Sequence, residues 1–168
     1  MKPITELEPG GQGATLSKPP RSKEDRKAHV LRVLLNEDKL WLATSGERAP
    51  HVVPLSYVWR DSRIVMAVPK GSPSARNLCE SATARAVLGT PLDAILIDGM
   101  VEQIEPCDMK PATVEALCDV SAVDPLRTPG FTCLVLHPFR VQAYGTPSEV
   151  WKPTLMRQGR WLVPGEGQ

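Results

Sequence analysis

The sequence predicts a mainly β fold with inserted helices (α+β), an antiparallel β-barrel with helices attached. Three observations carry this expectation. From Leu40 onward the dominant period is two, in six or more short apolar runs separated by turn-forming residues. Helical periods occur singly between those runs, with no repeated strand and crossover-helix units, which disfavours a parallel sheet. One long run, Ala94 to Ile104, carries Gly99 in its middle, as a bend or bulge at a barrel corner requires.

The elements follow in order. Residues 1–20 hold Pro3, Pro9, Gly10, Gly11, Gly13, Pro19 and Pro20 with few large apolar residues, and are expected to form a flexible N-terminal segment. Ser22 with Asp25 three residues on is a capping box. It opens a helix of about four turns, ending near Asp38, whose apolar face is expected to be Ala28, Leu31, Leu34 and Leu35. Leu40–Thr44 and His51–Trp59 make a hairpin, and Ile64–Val68 a third strand. A short helix from Pro73 to Ser81 leads to strands at Ala84–Gly89 and Ala94–Ile104. A helix over Lys110–Asp119 and two further strands, Thr132–His137 and Arg140–Tyr144, complete the expected core.

Composition narrows the function. The 168 residues are 42% hydrophobic and carry a net charge of +1 with no like-charge run, which gives no electrostatic grip for nucleic acid or an anionic membrane. No apolar run reaches membrane-span length and no signal-peptide pattern opens the chain, so a cytoplasmic protein is expected. Cys79, Cys107, Cys118 and Cys133 show no CxxC spacing, and with three histidines they offer no metal signature. There is no nucleophile and base pair and no paired carboxylates at a recognisable spacing.

Two stretches carry the binding chemistry. In "KGSPSARNL", Lys70 to Leu78, Ser72 is the expected N-cap and Pro73 the first helical residue. Lys70 and Arg76 lie within a turn of a helix end that already presents partial positive charge. The stretch is either a well-made cap or a phosphate seat, in which an anion resolves that conflict. Pro54 interrupts the second strand and removes a ladder donor, so the strand is an edge or is bulged there. The freed backbone of Val53, Leu55 and Ser56 can hydrogen-bond a flat heteroaromatic ring; alternatively, Pro54 only protects an edge. His51 can contact a ring or serve as a surface hydrogen-bonding group. Trp41, Tyr57 and Trp59 are expected in packing, within the barrel or a dimer interface.

The ordered set "LATSGERAPHVVPLSYVW", "IVMAVPKGSPSARNL" and "ILIDGMVEQI" resembles the flavin-binding split β-barrel proteins related to pyridoxamine 5′-phosphate oxidase, and the tail "VWKPTLMRQGRWLV" is similar to that of actinobacterial members. The resemblance covers about residues 23 to 145. It implies a split barrel over 21–146 and a tail, 147–168, packed on the barrel or on a partner subunit. It also implies a homodimer with the cofactor site at the subunit interface. On that resemblance Val53, Pro54, Leu55 and Ser56 line the isoalloxazine edge, Val68, Pro69 and Lys70 the ribityl chain, and Ser72, Ser74, Arg76 and Asn77 the phosphate. Many relatives carry a cation where this chain has Ser74. The implied cofactor is FMN, with the deazaflavin coenzyme as the alternative. The implied activity is a flavin-type oxidoreductase moving hydride to or from a small organic substrate, and the competing reading is a non-catalytic module that binds or stores a planar cofactor. No catalytic side chain is implied, because a flavin carries the redox work itself.

Overall fold

The computed structural model describes residues 19–46 and 49–163. Most of the expected flexible segment at residues 1–20 therefore lies outside the described residues. Over the described residues the fold is a curled antiparallel sheet forming a half-barrel, with three α-helices. Its strands are β1 Lys39–Ser45, β2 Pro50–Ser56, β3 Val58–Arg60, β4 Arg63–Pro69, β5 Thr83–Thr90, β6 Asp93–Ile104, β7 Phe131–Tyr144, β8 Thr154–Arg157 and β9 Arg160–Trp161. The helices are α1 Lys23–Asn36, α2 Pro73–Ser81 and α3 Pro111–Val120.

Hydrogen-bonded neighbours run β2-β1-β5-β6-β7-β4-β3, with the β8–β9 hairpin paired onto β7. The expected single strand His51–Trp59 is divided. Tyr57 leaves the ladder and its N–H donates to the Asp38 carbonyl at 2.9 Å, so the chain passes from one sheet edge, β2, to the other, β3. The Tyr57 ring is 1% exposed, with its hydroxyl 3.3 Å from the Val33 carbonyl oxygen. β2 pairs with β1 alone, which is the edge position that Pro54 requires.

Curvature concentrates where glycine and proline face each other. The β6–β7 register shifts between Asp98 and Gly99, opposite Pro138. A side chain at Gly99 would put its Cβ 2.6 Å from Leu136 Cγ and 2.7 Å from the His137 carbonyl oxygen, so only glycine allows this approach. The strand continues through this bulge and through Pro138, so the two final strands expected from the sequence are one 14-residue strand.

The inner sheet face, α1 and α2 enclose one core that includes Val30, Leu34, Leu42, Ile64, Met66, Leu78, Ile97, Leu136 and Leu155. α3 buries Leu117 in a second cluster with Val58, Val65, Cys133 and Val135, on the opposite face of β3, β4 and β7. The expected face of α1 is corrected. Arg26, Val30, Val33 and Leu34 are buried, while Ala28 and Leu35 are exposed. A buried arginine occupies a position that an apolar periodicity search passes over.

That arginine belongs to a closed network. Arg26 donates to the carbonyls of Ala143, Lys152 and Pro153 at 2.6–2.9 Å. Its Nε lies 3.6 Å from Glu149, whose side chain is fully buried. Arg21 adds a two-pronged bond to the same carboxylate, at 2.9 and 3.0 Å, and the Gly145 N–H donates to it at 2.7 Å. A Cβ at Gly145 would lie 2.5 Å from Arg21 Cζ, so glycine is needed for the guanidinium to enter. Burial alone would raise the Glu149 carboxyl; the Arg21 side chain and the Gly145 and Arg21 backbone donors outweigh it and bring the pKa from 4.5 to about 2. The network fastens α1 to the segment between β7 and β8.

Candidate functional site

β4 ends at Pro69 and the chain turns directly into α2. Ser72 is the N-cap, its Oγ accepting the Ala75 N–H at 3.2 Å, with Pro73 as the first helical residue. The Arg76 N–H goes to the Ser72 carbonyl at 3.1 Å. The Ser74 N–H, on the second helical residue, has no intrahelical acceptor. A Cβ at Gly71 would meet nothing within 4 Å, so the loop backbone before the helix is open to an approaching group. Open space, a helix end and Ser72 together suit a phosphate.

The expected cations are placed differently from their expected convergence. Lys70 Nζ is 2.7 Å from Glu105, in an ion pair half-exposed on both sides. Arg76 donates Nη1 to the Gly71 carbonyl and so braces the loop. Asn77 donates to Thr44 Oγ1 at 3.0 Å, tying α2 to the end of β1. Ser74 is 1% exposed, so it lies beneath the helix end and not at its surface. Val68 is a core residue, while Pro69 is exposed.

Along β2, Val53 and Leu55 pack partly against the core and Pro54 is exposed on the other face, opposite Trp41 of β1. Ser56 ends the strand half-buried. The curl brings β2 into contact with β4, and the β1–β2 turn closely approaches α2: a Cβ at Gly46 would lie 3.3 Å from Asn77 Nδ2. The β1–β2 turn therefore neighbours α2, and β2 lies against β4, the strand that leads into that helix. The second strand's His51 is half-buried and pairs with Thr44.

Beside Thr44 and Asn77 a cleft of about 330 Å³ opens on the outer sheet face, lined by Thr44, Ser45, Thr83, Phe139, Arg85 and Arg140 among others. Asp98 sits at its base. It accepts from Arg85 Nε at 2.6 Å and Nη2 at 3.2 Å, and from Arg140 through Nε and Nη2. Burial pushes the Asp98 carboxyl up, but the two guanidinium groups outweigh it and the net shift is downward. Sequence reading missed this cluster, because its members lie 13 and 42 residues apart and only the strand register unites them.

No protein-family model and no curated protein sequence matches the chain. Solved structures share its fold. A pyridoxamine 5′-phosphate oxidase-related, FMN-binding protein of Nostoc punctiforme PCC 73102 is similar with a TM-score of 0.53 at 18% identity, over 76% of this chain and 85% of its own. A candidate pyridoxamine 5′-phosphate oxidase of Listeria innocua gives 0.57 at 12% identity, over 71% and 98%. A heme-binding protein of Mycobacterium smegmatis gives 0.60 at 19% identity, over 84% of this chain and 60% of its own. The fold is thus the split β-barrel of the pyridoxamine 5′-phosphate oxidase-like proteins, as the sequence motifs imply. No helix among the described residues is long and apolar enough to cross a membrane.

Proposed function

We propose that the protein binds a flavin-type cofactor, FMN in the first place, and uses it as an oxidoreductase moving hydride to or from a small organic substrate. The observation that carries this reading is the open, Ser72-capped α2 end directly after β4, beside a β2 edge that pairs on one side only, in a fold shared with an FMN-binding protein. When bound, the flavin supplies the hydride-accepting ring. Gly71 and the Ser72-capped α2 end would hold the phosphate, with Ser74 in the first turn behind it and Lys70 and Arg76 supplying charge. Val68 and Pro69 would flank the ribityl chain, Asn77 would fix the helix on β1, and Val53, Pro54, Leu55 and Ser56 would orient the ring edge and exclude water.

The functional unit in this reading is a homodimer with the site at its interface. Trp41 and Val52, 52% and 54% exposed on one outer face, supply apolar surface for it. Such an interface buries more than ~1,200 Å² in total. The second reading, a module that holds the cofactor without turnover, is favoured by one observation: Lys70 is already engaged by Glu105, which leaves the seat a weaker grip on a phosphate.

The visible absorption spectrum of the purified protein, before and after separate additions of FMN and the deazaflavin coenzyme, tests the premise. Bound FMN and a dimer by sedimentation are expected, together with oxidation of a nicotinamide donor. Loading without turnover across a broad panel of donors and acceptors selects the module, and failure to bind either flavin ends both readings. Arg76→Ala should weaken flavin binding by roughly 1.5–3 kcal/mol; unchanged affinity removes Arg76 from the site.

A further inference from the structure

We propose that the outer-face cleft beside Asp98 is a second binding site, separate from the α2 end, for a small molecule bearing an oxyanion: a phosphate or clustered carboxylates on a body that packs against Phe139. The site is assembled by strand register. Arg85 of β5 pairs with Asp98 of β6, Asp98 with Arg140 of β7, Arg140 with Arg157 of β8, and Arg157 with Arg160 of β9. Directly paired residues of an antiparallel sheet share a face. Four guanidinium groups are therefore aligned across five neighbouring strands with a single carboxylate among them.

That carboxylate is fully engaged by Arg85 and Arg140, whose side chains remain 40% and 44% exposed. Each binds Asp98 through Nε and Nη2, which leaves Nη1 as an unused donor. Arg157 and Arg160 have no ion pair or hydrogen bond from their side chains among the described residues, yet they face each other across the hairpin, and Arg157 also faces Arg140. Like charges directly opposite in a sheet are destabilising. The turn fixes this arrangement: Gln158 and Gly159 both have positive φ, 50° and 74°, and the Gly159 N–H donates to the Phe139 carbonyl at 3.0 Å. Strands are about 4.8 Å apart, so Arg157 and Arg160 lie within roughly 10 Å of Arg140, about the screening length in dilute salt.

An oxyanion in the cleft would use the free Nη1 donors, meet the hydroxyls of Ser45 and Thr83, and offset the excess charge. The apolar side of the cleft is Phe139 with Ala43 and Pro50, which suits a ligand with a non-polar body. This inference does not depend on which cofactor, if any, occupies the α2 end.

The test is calorimetric titration with inorganic phosphate and, separately, citrate, against chloride at matched ionic strength. It is run on the unmodified protein, the Arg157→Gln/Arg160→Gln double variant and Arg76→Ala. Saturable binding of phosphate or citrate is expected, weakened at least about fivefold in the double variant through lost Coulomb attraction and unchanged in Arg76→Ala. Flavin binding should persist in the double variant. A response equal to chloride, or one lost in Arg76→Ala and kept in the double variant, overturns the site. So does a chain whose dimer dissociates in the double variant without any oxyanion binding, because the arginine row then pairs with a second copy.

Discussion

Glu149 and Asp98 are both carboxylates held by two arginines, but their surroundings differ. Around Glu149 the accounts close: Arg21 adds Asp93 as a second acceptor, and Arg26 spends its remaining donors on three backbone carbonyls. Among the described buried side-chain atoms, only Arg26 Nε lacks a hydrogen-bond partner, and it still faces Glu149 at 3.6 Å. Around Asp98 the accounts stay open, with arginines continuing along the ladder beyond the one carboxylate that could neutralise them. A buried ionic group tolerates no such excess, because every unpaired charge there bears its full desolvation cost. At a solvent-facing cleft the excess is tolerated, and it is the property that attracts an anion. Closure marks the structural cluster, and surplus charge marks the binding candidate.

The largest effect should come from opening the closed cluster. Glu149→Ala leaves Arg21 and Arg26 without their shared anion and should cost about 3–5 kcal/mol, as breaking a buried pair does. Urea denaturation measures it, and a loss below ~1 kcal/mol would mean that the arginines hold α1 through the backbone carbonyls alone. The same carboxylate sets an acid limit. Its folded pKa, about 2, lies below the ordinary 4.5, so its contribution is fully present above the ordinary value and is lost as pH falls through the folded one. Stability should decline between about pH 5 and pH 2, and the decline should be shallower in Glu149→Gln; parallel profiles would exclude Glu149 as its source.

Next in size is Asp98→Ala, expected to cost about 1.5–3 kcal/mol, the range for hydrogen bonds to charged groups. Arg85 and Arg140 can turn toward water, which Arg26 cannot. Here the two clusters should separate: phosphate should restore more stability to Asp98→Ala than it adds to the unmodified protein, whereas to Glu149→Ala, whose outer-face cleft is intact, it should add only what it adds to the unmodified protein. Equal responses would remove the distinction.

What the sequence made legible follows the range of the interactions. The Ser72 cap, the α2 start at Pro73, the edge position of Pro54 and the bulge at Gly99 are local consequences of residue type, and each is found where the spacing places it. The positions of the Val53–Ser56 and Val68–Asn77 stretches follow from the same local grammar, but the engagement of Lys70 by Glu105 does not, because 35 residues and three elements separate the pair (105 minus 70). Arg26 shows the same limit more sharply. Its burial is explained by Glu149 and three carbonyls more than 115 residues away, and no window on α1 contains that information. The outer-face row was hidden for a further reason, since a period-two strand pattern reveals that Arg85 and Arg140 face outward but not that register sets them on either side of Asp98.

The smallest expected effect is the most specific. Arg157→Gln removes a charge that faces Arg140 on one side and Arg160 on the other and has no compensating partner among the described residues. It keeps a polar, strand-compatible side chain, so the Gln158–Gly159 turn and the Phe139 bond should survive. Relief of like-charge pairing should raise stability by about 0.2–1 kcal/mol in the absence of a bound anion. The gain should shrink in 1 M salt, where the screening length falls to about 3 Å, and should reverse in saturating phosphate, where the unmodified protein gains the binding energy that the variant has lost. Thermal denaturation in three buffers, dilute chloride, concentrated chloride and phosphate, reads all three signs. A variant less stable than the unmodified protein in dilute chloride would show that Arg157 already has its counter-charge, and the row would then be as closed as the Glu149 cluster.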